Sequence, residues 1–365
     1  MNAQNKFISR AKLADWLKEL SSRFEVWAPR KEGEGARSVV VYRPFEAEKG
    51  LELDRKPTES AKHTMFPRSE TLFNFRRNLV EGAPSLELEE AADPAPRLVF
   101  GLLSCDARGF QIFDPVYNGS GTNGQAKDTY YLKRRSSTVL IVKSCSKVLS
   151  TCFCNWVGGG PASTEGADVL ATEVQDGFLL TPVSERGAAV LDSSLLAATN
   201  SDMESAAADS QTKAAAALPA APDLKESQSA LLGKFDNAAF WQAESSKCLS
   251  CGACTYLCPT CYCFNISDEA AGYNGVRLRN WDSCMMPLFT MEASGHNPRT
   301  PKMGRLKNRV GHKFSYYPSL HGGRIACCGC GRCIKSCPSS VDIRRIVTDA
   351  IGFTETVGLK EQNNG

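Results

Sequence analysis

Histidine is scarce in this chain, four in 365 residues, and no nucleophile–base pairing can be read from them. That leaves little for acid–base or nucleophilic catalysis, so no catalytic residue is assigned and the chain is not expected to be an enzyme by itself. Long apolar runs are absent too. Stretches such as residues 98–103 and 138–142 fall far short of the roughly 20 residues a membrane helix needs. The N-terminus shows no secretory signal. Leu13, Trp16, Leu17, Leu20 and Phe24 recur at helical spacing between Lys12, Asp15, Lys18 and Glu19, which predicts an amphipathic helix packed on the first domain. A cytoplasmic protein without a membrane span follows as the expectation. A nucleotide loop is also missing. Gly119, Gly121 and Gly124 fit G-x-G-x-x-G, but Asp114 and Pro115 precede them and Gln125, Lys127 and Asp128 follow, where a strand and a helix are required. A solvent loop is predicted there, with no flavin or nucleotide bound by this chain. The sequon at Asn118 has no meaning in a cytosolic protein.

Cysteine, by contrast, is abundant, with 16 residues. Without export, disulfides are not expected, and thiolates remain available for metal. Cys248, Cys251, Cys254 and Cys258 follow C-x2-C-x2-C-x3-C and precede Pro259. Cys327, Cys330, Cys333 and Cys337 repeat the spacing and precede Pro338. This is the bacterial ferredoxin pattern for [4Fe–4S] clusters. Three cysteines at two-residue gaps wrap one cube, and the fourth, on the next turn, points to the other. Cys248, Cys251, Cys254 and Cys337 are therefore predicted to hold one cluster, and Cys327, Cys330, Cys333 and Cys258 the second. Gly252, Gly329 and Gly331 let backbone come close. Zinc ribbons would need paired C-x2-C units instead.

Of the remaining thiols, Cys105, Cys145, Cys152 and Cys154 lie in the N-terminal half. Cys105 and Cys145 each follow an apolar run that reads as a buried strand, so they are expected to meet at the carboxyl edge of a sheet, where α/β proteins place their sites. A third [4Fe–4S] cluster is predicted on these four; buried structural thiols are the alternative. Cys261, Cys263 and Cys284 are read either as thiols that pack around the clusters and tune them or as ligands of a further metal, with His296 or His312. Cys328 reads as a loop filler.

Organisation follows from composition. Residues 1–195 mix strand runs (38–42, 98–103, 138–142, 178–182) with helical stretches and read as an α/β or α+β domain. Residues 196–230 are rich in Ala and Ser and read as a linker, flexible or weakly helical. Residues 231–358 read as an α-helical ferredoxin-type domain with two clusters, because the gap between Cys258 and Cys327 is long enough for helices at 276–281, 285–293 and 306–314. Val341, Ile343, Ile346, Val347, Ala350 and Ile351 mark a closing amphipathic helix, and 359–365 a frayed tail. The formal net charge is +3. Each oxidised cube with its thiolates contributes about −2, so two take the chain to about −1 and three to about −3. Arg299, Lys302, Arg305, Lys307, Arg309, His312 and Lys313 form a basic stretch that is expected to balance clusters or dock a partner. Few aromatics interleave it before Phe314, so no nucleic acid is expected.

These residues resemble a family. The run from Cys248 to Cys263, then Arg277, Arg279, Trp281, Asp282 and Cys284, then Gly295-His296-Asn297, His312-Lys313-Phe314 and Cys327 to Pro338, is similar to the beta subunit of cytosolic [NiFe] sulfhydrogenases. It is also similar to the iron–sulfur subunit of anaerobic sulfite reductase, in the 4Fe-4S dicluster family, and to subunits beside heterodisulfide-reductase-type complexes. Pro67, Arg68, Thr71, Phe73, Cys105-Asp106-Ala107, Tyr130, Tyr131, Arg134, Arg135 and Cys152-Phe153-Cys154 extend the likeness over nearly the whole chain apart from the linker. The resemblance implies an electron-transfer subunit with a flavin/NAD(P)H-binding subunit on one side and a hydrogenase, sulfite reductase or heterodisulfide-reductase-like partner on the other. One-electron clusters suit a flavin that splits a hydride. Two other readings are a self-contained reductase with substrate at an N-terminal cluster near Asp106, and a nucleic-acid or scaffold protein with structural clusters.

Overall fold

In the computed structural model, which describes residues 4–80, 83–119 and 127–352, a short strand β1 (Lys6–Ser9) leads straight into α1 (Arg10–Leu20). As its spacing predicts, α1 buries Leu13, Trp16, Leu17 and Leu20 against the sheet, among Ile8, Phe100, Ile141 and Phe178. Each such side chain contributes roughly 1.5–3 kcal/mol of burial. The chain then forms β2 (Glu25–Glu32) and β3 (Val39–Pro44), and two long strands, β4 (Ser69–Val80) and β5 (Ala83–Glu90). Next come β6 (Arg97–Leu103), α2 (Ser104–Tyr117), α3 (Thr129–Ser137), β7 (Thr138–Lys143), β8 (Val169–Val174), β9 (Gly177–Pro182), α4 (Glu185–Val190) and β10 (Ala197–Ala198).

Eight of these strands make one mixed sheet in the order β10-β1-β9-β8-β7-β6-β2-β3. Its centre, β2, β6, β7 and β8, is parallel. A strand covered on both faces reads as a continuous apolar run and not as an alternation, which is why 98–103 and 138–142 stand out. Leu98 and Phe100 face α1 and α4, and Val99 and Leu102 face α2 and α3. The structure is thus a mixed α/β fold with its sheet-rich part in the N-terminal half.

The Ala/Ser-rich stretch holds an ordered helix, α5 (Ser201–Ala216), capped by Asn200 accepting the Met203 N–H at 2.9 Å. Alanine favours helix and permits close approach: Ala207 and Ala214 are buried, and Gln211 donates to Thr172 at 2.9 Å. Beyond it lie α6 (Ser227–Gly233), α7 (Ala238–Ser245), α8 (Ala253–Tyr256), β11 (Phe264–Ala271), β12 (Asn274–Trp281), α9 (Lys302–Gly311) with a π turn over His312–Tyr316, α10 (Tyr317–Leu320), α11 (Arg332–Lys335) and α12 (Ile343–Ile351). Here the expected helices need correction. Residues 276–281 are strand, since Val276 and Leu278 alternate with Arg277 and Arg279 at period two and pair with β4. Residues 285–293 form turns broken by Pro287. Only 306–314 is helical as expected, in α9 and its π turn, so the spacer is a hairpin plus one long helix.

That hairpin joins the halves. The second sheet runs β11-β12-β4-β5, antiparallel throughout, with Arg277 opposite Phe73. The core around α9 and α12, with Leu306, Val310, Phe314, Ile346 and Val347, also takes in Phe153 and Val157. Tyr317 donates its hydroxyl to the Ile112 carbonyl at 2.7 Å. The tail 359–365 and most of the 119–124 glycine loop, with Ser120 of the sequon, lie outside the described residues.

Candidate iron–sulfur sites

Ser250 and Gly252, with φ of 54° and 76°, curl the loop that carries the first cysteine run. The Ser250 N–H then reaches Cys248 Sγ at 3.4 Å, and the Val341 N–H reaches Cys337 Sγ at 3.2 Å. Cys248, Cys251, Cys254 and Cys337 line one cavity, open in part to solvent, with Cys333, Met285, Leu306 and Arg309. Cys251 is exposed. The short α8 turns the chain so that Cys258 leaves this cavity for the next. There Cys258, Cys327, Cys330 and Cys333 line a second cavity together with Phe153, Arg309, Lys313 and Cys328. Gly329 and Thr260 aim backbone N–H groups at Cys327 Sγ and Cys258 Sγ, both at 3.4 Å. Cys337 of the second run thus lines the cavity of the first, and Cys258 of the first lines that of the second, with Cys333 on the wall of both.

Buried cations stand between these thiols. Arg309 and Lys313 are 4% and 3% exposed, and among the described residues neither pairs with a carboxylate. Arg309 donates to the Cys254 carbonyl at 3.2 Å while its Nε has no partner. Lys313 donates to Thr260 Oγ1 at 2.7 Å and to the Ala326 carbonyl at 3.1 Å. A buried cation without a counter-charge costs several kcal/mol. Thiolate-bound clusters would supply that charge, so the residues fit the group. The basic stretch accordingly turns Arg305, Arg309 and Lys313 inward.

The N-terminal thiols also come together. Cys105 opens α2 directly after β6, and Cys145 lies just past β7, so both sit at the carboxyl edge of the parallel strands, where they pack with Leu103, Cys328 and Cys330. Lys56 Nζ lies 3.3 Å from Cys152 Sγ and 2.5 Å from the Cys330 carbonyl. It is the cation common to Cys105, Cys145, Cys152 and Cys154. Burial pushes the Cys105 and Cys145 thiols up and Cys154 to about 11, as it does for thiols packed in apolar surroundings. The second ferredoxin loop is pressed against this group. The Phe153 N–H donates to the Gly329 carbonyl at 2.8 Å, and a Cβ on Gly329 would stand 2.4 Å from the Phe153 oxygen. Lys56 carried no sequence signal, being one lysine in a loop before Pro57.

Asp106 binds Arg332 in a fork at 2.6 and 2.9 Å, with both side chains buried. Deleting either partner of such a pair costs about 3–5 kcal/mol. Its carboxylate is committed to holding the halves together. Cys261 hydrogen-bonds Cys258, and Cys263 hydrogen-bonds Cys284; the Cys284 thiol and N–H bring Cys263 down to about 7, even against burial. Among the described residues no three His, Cys, Asp or Glu side chains close on a single ion, the ferredoxin cysteines included; Cys261 pairs with Cys258, and Cys263 with Cys284. Neither histidine joins them: His296 meets Glu292, and His312 meets Tyr262 at 2.9 Å.

Comparison with known proteins places this geometry. Residues 247–341 match the 4Fe-4S dicluster domain family. Over 310 residues, 83% of this chain and 85% of the relative, the sequence is 28% identical to sulfhydrogenase 2 subunit beta of Pyrococcus furiosus. No solved structure matches. Among the described residues no helix is long and apolar enough to cross a membrane. Over most of its length the chain resembles an iron–sulfur beta subunit, and it carries [4Fe–4S] clusters as an electron-transfer protein.

Proposed function

We propose that this chain is the relay subunit of a cytosolic oxidoreductase complex, passing single electrons between two partners, one that reacts with NAD(P)H through a flavin and one that is a hydrogenase-type catalytic subunit. The hydrogenase type is preferred over sulfite or heterodisulfide reduction because the matched relative is a sulfhydrogenase subunit. Bound [4Fe–4S] clusters supply one-electron chemistry, which suits a flavin partner. The observation that carries the reading is the exchange of fourth ligands. Cys337 lines the cavity of the first run and Cys258 that of the second, as two ferredoxin cubes held side by side require.

The chain's own residues do the rest. Cys248, Cys251, Cys254 and Cys337 hold the first cluster; Cys258, Cys327, Cys330 and Cys333 hold the second. Cys105, Cys145, Cys152 and Cys154 hold the third, in the N-terminal domain, with Lys56 as counter-charge. Arg309 and Lys313 balance the first two and Phe153 packs between the second and third, so the three sets lie in sequence through both halves. Cys251, the exposed thiol of the first set, marks the end nearest solvent.

Anaerobically reconstituted protein should hold roughly twelve irons per chain, and Cys152→Ala roughly eight. Iron analysis giving equal counts for the two proteins would remove the third assignment. Clusters that no low-potential donor can reduce would remove the relay itself.

A further inference from the structure

Of the sulfurs around the second cavity, that of Cys258 sits among the most donors. Thr260 offers it a backbone N–H at 3.4 Å and a hydroxyl at 3.2 Å, and the Cys261 thiol adds another hydrogen bond. Cys327 has the Gly329 N–H, and Cys330 the Cys328 thiol. Behind Thr260 stands Lys313, whose ammonium donates to the Thr260 hydroxyl oxygen at 2.7 Å. The hydroxyl has two acceptors within reach, Cys258 Sγ and the Ala326 carbonyl at 2.9 Å. A cluster-bound Cys258 sulfur carries no hydrogen, so in that contact the Thr260 hydroxyl is the donor, its hydrogen shared with the Ala326 carbonyl, which also accepts from Lys313 at 3.1 Å.

The two cavities also differ in charge. Arg309 lines both, but Lys313 lines only the second, and Lys56 reaches Cys330 from the far side. Arg332, nearby, is neutralised by Asp106. A reduced cube carries one more negative charge than an oxidised one. Hydrogen bonds to its sulfurs and buried cations beside it therefore favour the reduced state, most strongly where water is excluded.

Resting on the ligand assignment above, we propose that the cluster held by Cys258, Cys327, Cys330 and Cys333 is the electron well of this chain, with Thr260, oriented by Lys313, as the positioning residue that sets its potential. It takes the first electron on reduction and gives it up last on oxidation. The flanking clusters then act as lower-potential steps on either side.

A redox titration of the reconstituted full-length protein, followed by electron paramagnetic resonance, tests this. Thr260→Val should keep the full iron count and shift the first reduction step to lower potential, with later steps unmoved. Lys313→Met should shift the same step, and Thr260→Ser should restore it. An unmoved first step in Thr260→Val, a shift confined to later steps, or loss of iron from Thr260→Val overturns the proposal. Cys258→Ala separates the two layers of inference: a full iron count in that variant would sink the ligand assignment and the tuning with it, whereas a lowered count beside an unmoved first step in Thr260→Val sinks the tuning alone.

Discussion

His63 and His312 are both held neutral by burial, which lowers each from the ordinary 6.5 to about 4. His312 Nε2 and the Tyr262 hydroxyl share a hydrogen bond of 2.9 Å. Between pH 6.5 and 4 the unfolded chain binds the protons that the folded chain refuses, so stability falls as pH drops through that window and is fully present above it. The shift corresponds to on the order of 3 kcal/mol per histidine. We expect His312→Gln, whose amide can still meet Tyr262, to lose less melting temperature than the parent between pH 7 and 4.5; equal losses in thermal scans would refute the assignment. At this scale the sequence was readable wherever spacing carries chemistry. The ferredoxin cysteines announce themselves by interval and a following proline. Lys56 and the Asp106–Arg332 fork do not, because their partners lie far away in the chain and no local pattern records a distant contact.

Among the elements, loops do as much positioning as helices. Gly329 and Gly331, both at positive φ, lie so close to residues 151–154 that a Cβ on either would meet backbone within 2.4 Å. Gly329→Ala should therefore lower the melting point and release iron on both sides of the contact. Gly322→Ala, at nearly the same φ but in open space, should melt only slightly lower and keep its iron. Iron analysis with thermal scans distinguishes clash from backbone preference. The strands of the central sheet were legible as apolar runs. Within the strand at 274–281, residues 276–281 read as helix because the alternation is short and its partner, β4, lies some two hundred residues earlier in the chain. The Ala-rich stretch lacked apolar periodicity, yet α5 forms there because alanine itself can supply a packing face.

For the whole molecule, reading the chain as two halves joined by a linker captures composition but not connectivity. β12 completes a sheet begun by β4, Asp106 needs Arg332, and Phe153 enters the core of α9 and α12. A fragment of residues 1–195 would expose the β4 edge and leave the Asp106 charge buried without its partner, a loss of about 3–5 kcal/mol from that pair alone. We expect that fragment to show no cooperative unfolding transition by circular dichroism, whereas the intact chain does. A sharp transition in the isolated fragment would show that the halves are independent after all. The order of the thiol sets was legible only for the two ferredoxin runs; their contact with the N-terminal group needed the fold.

The strand shared across the halves also has a consequence for how the protein is made. On the ribosome, Cys105, Cys145, Cys152 and Cys154 emerge long before residues 274–281 can close the second sheet and Arg332 can reach Asp106. On the proposed third-cluster reading, the nascent chain has no finished wall on which to retain that iron until nearly all of it has been synthesised. That reading makes maturation post-translational and concerted, with cluster delivery meeting a completed polypeptide rather than loading one module at a time.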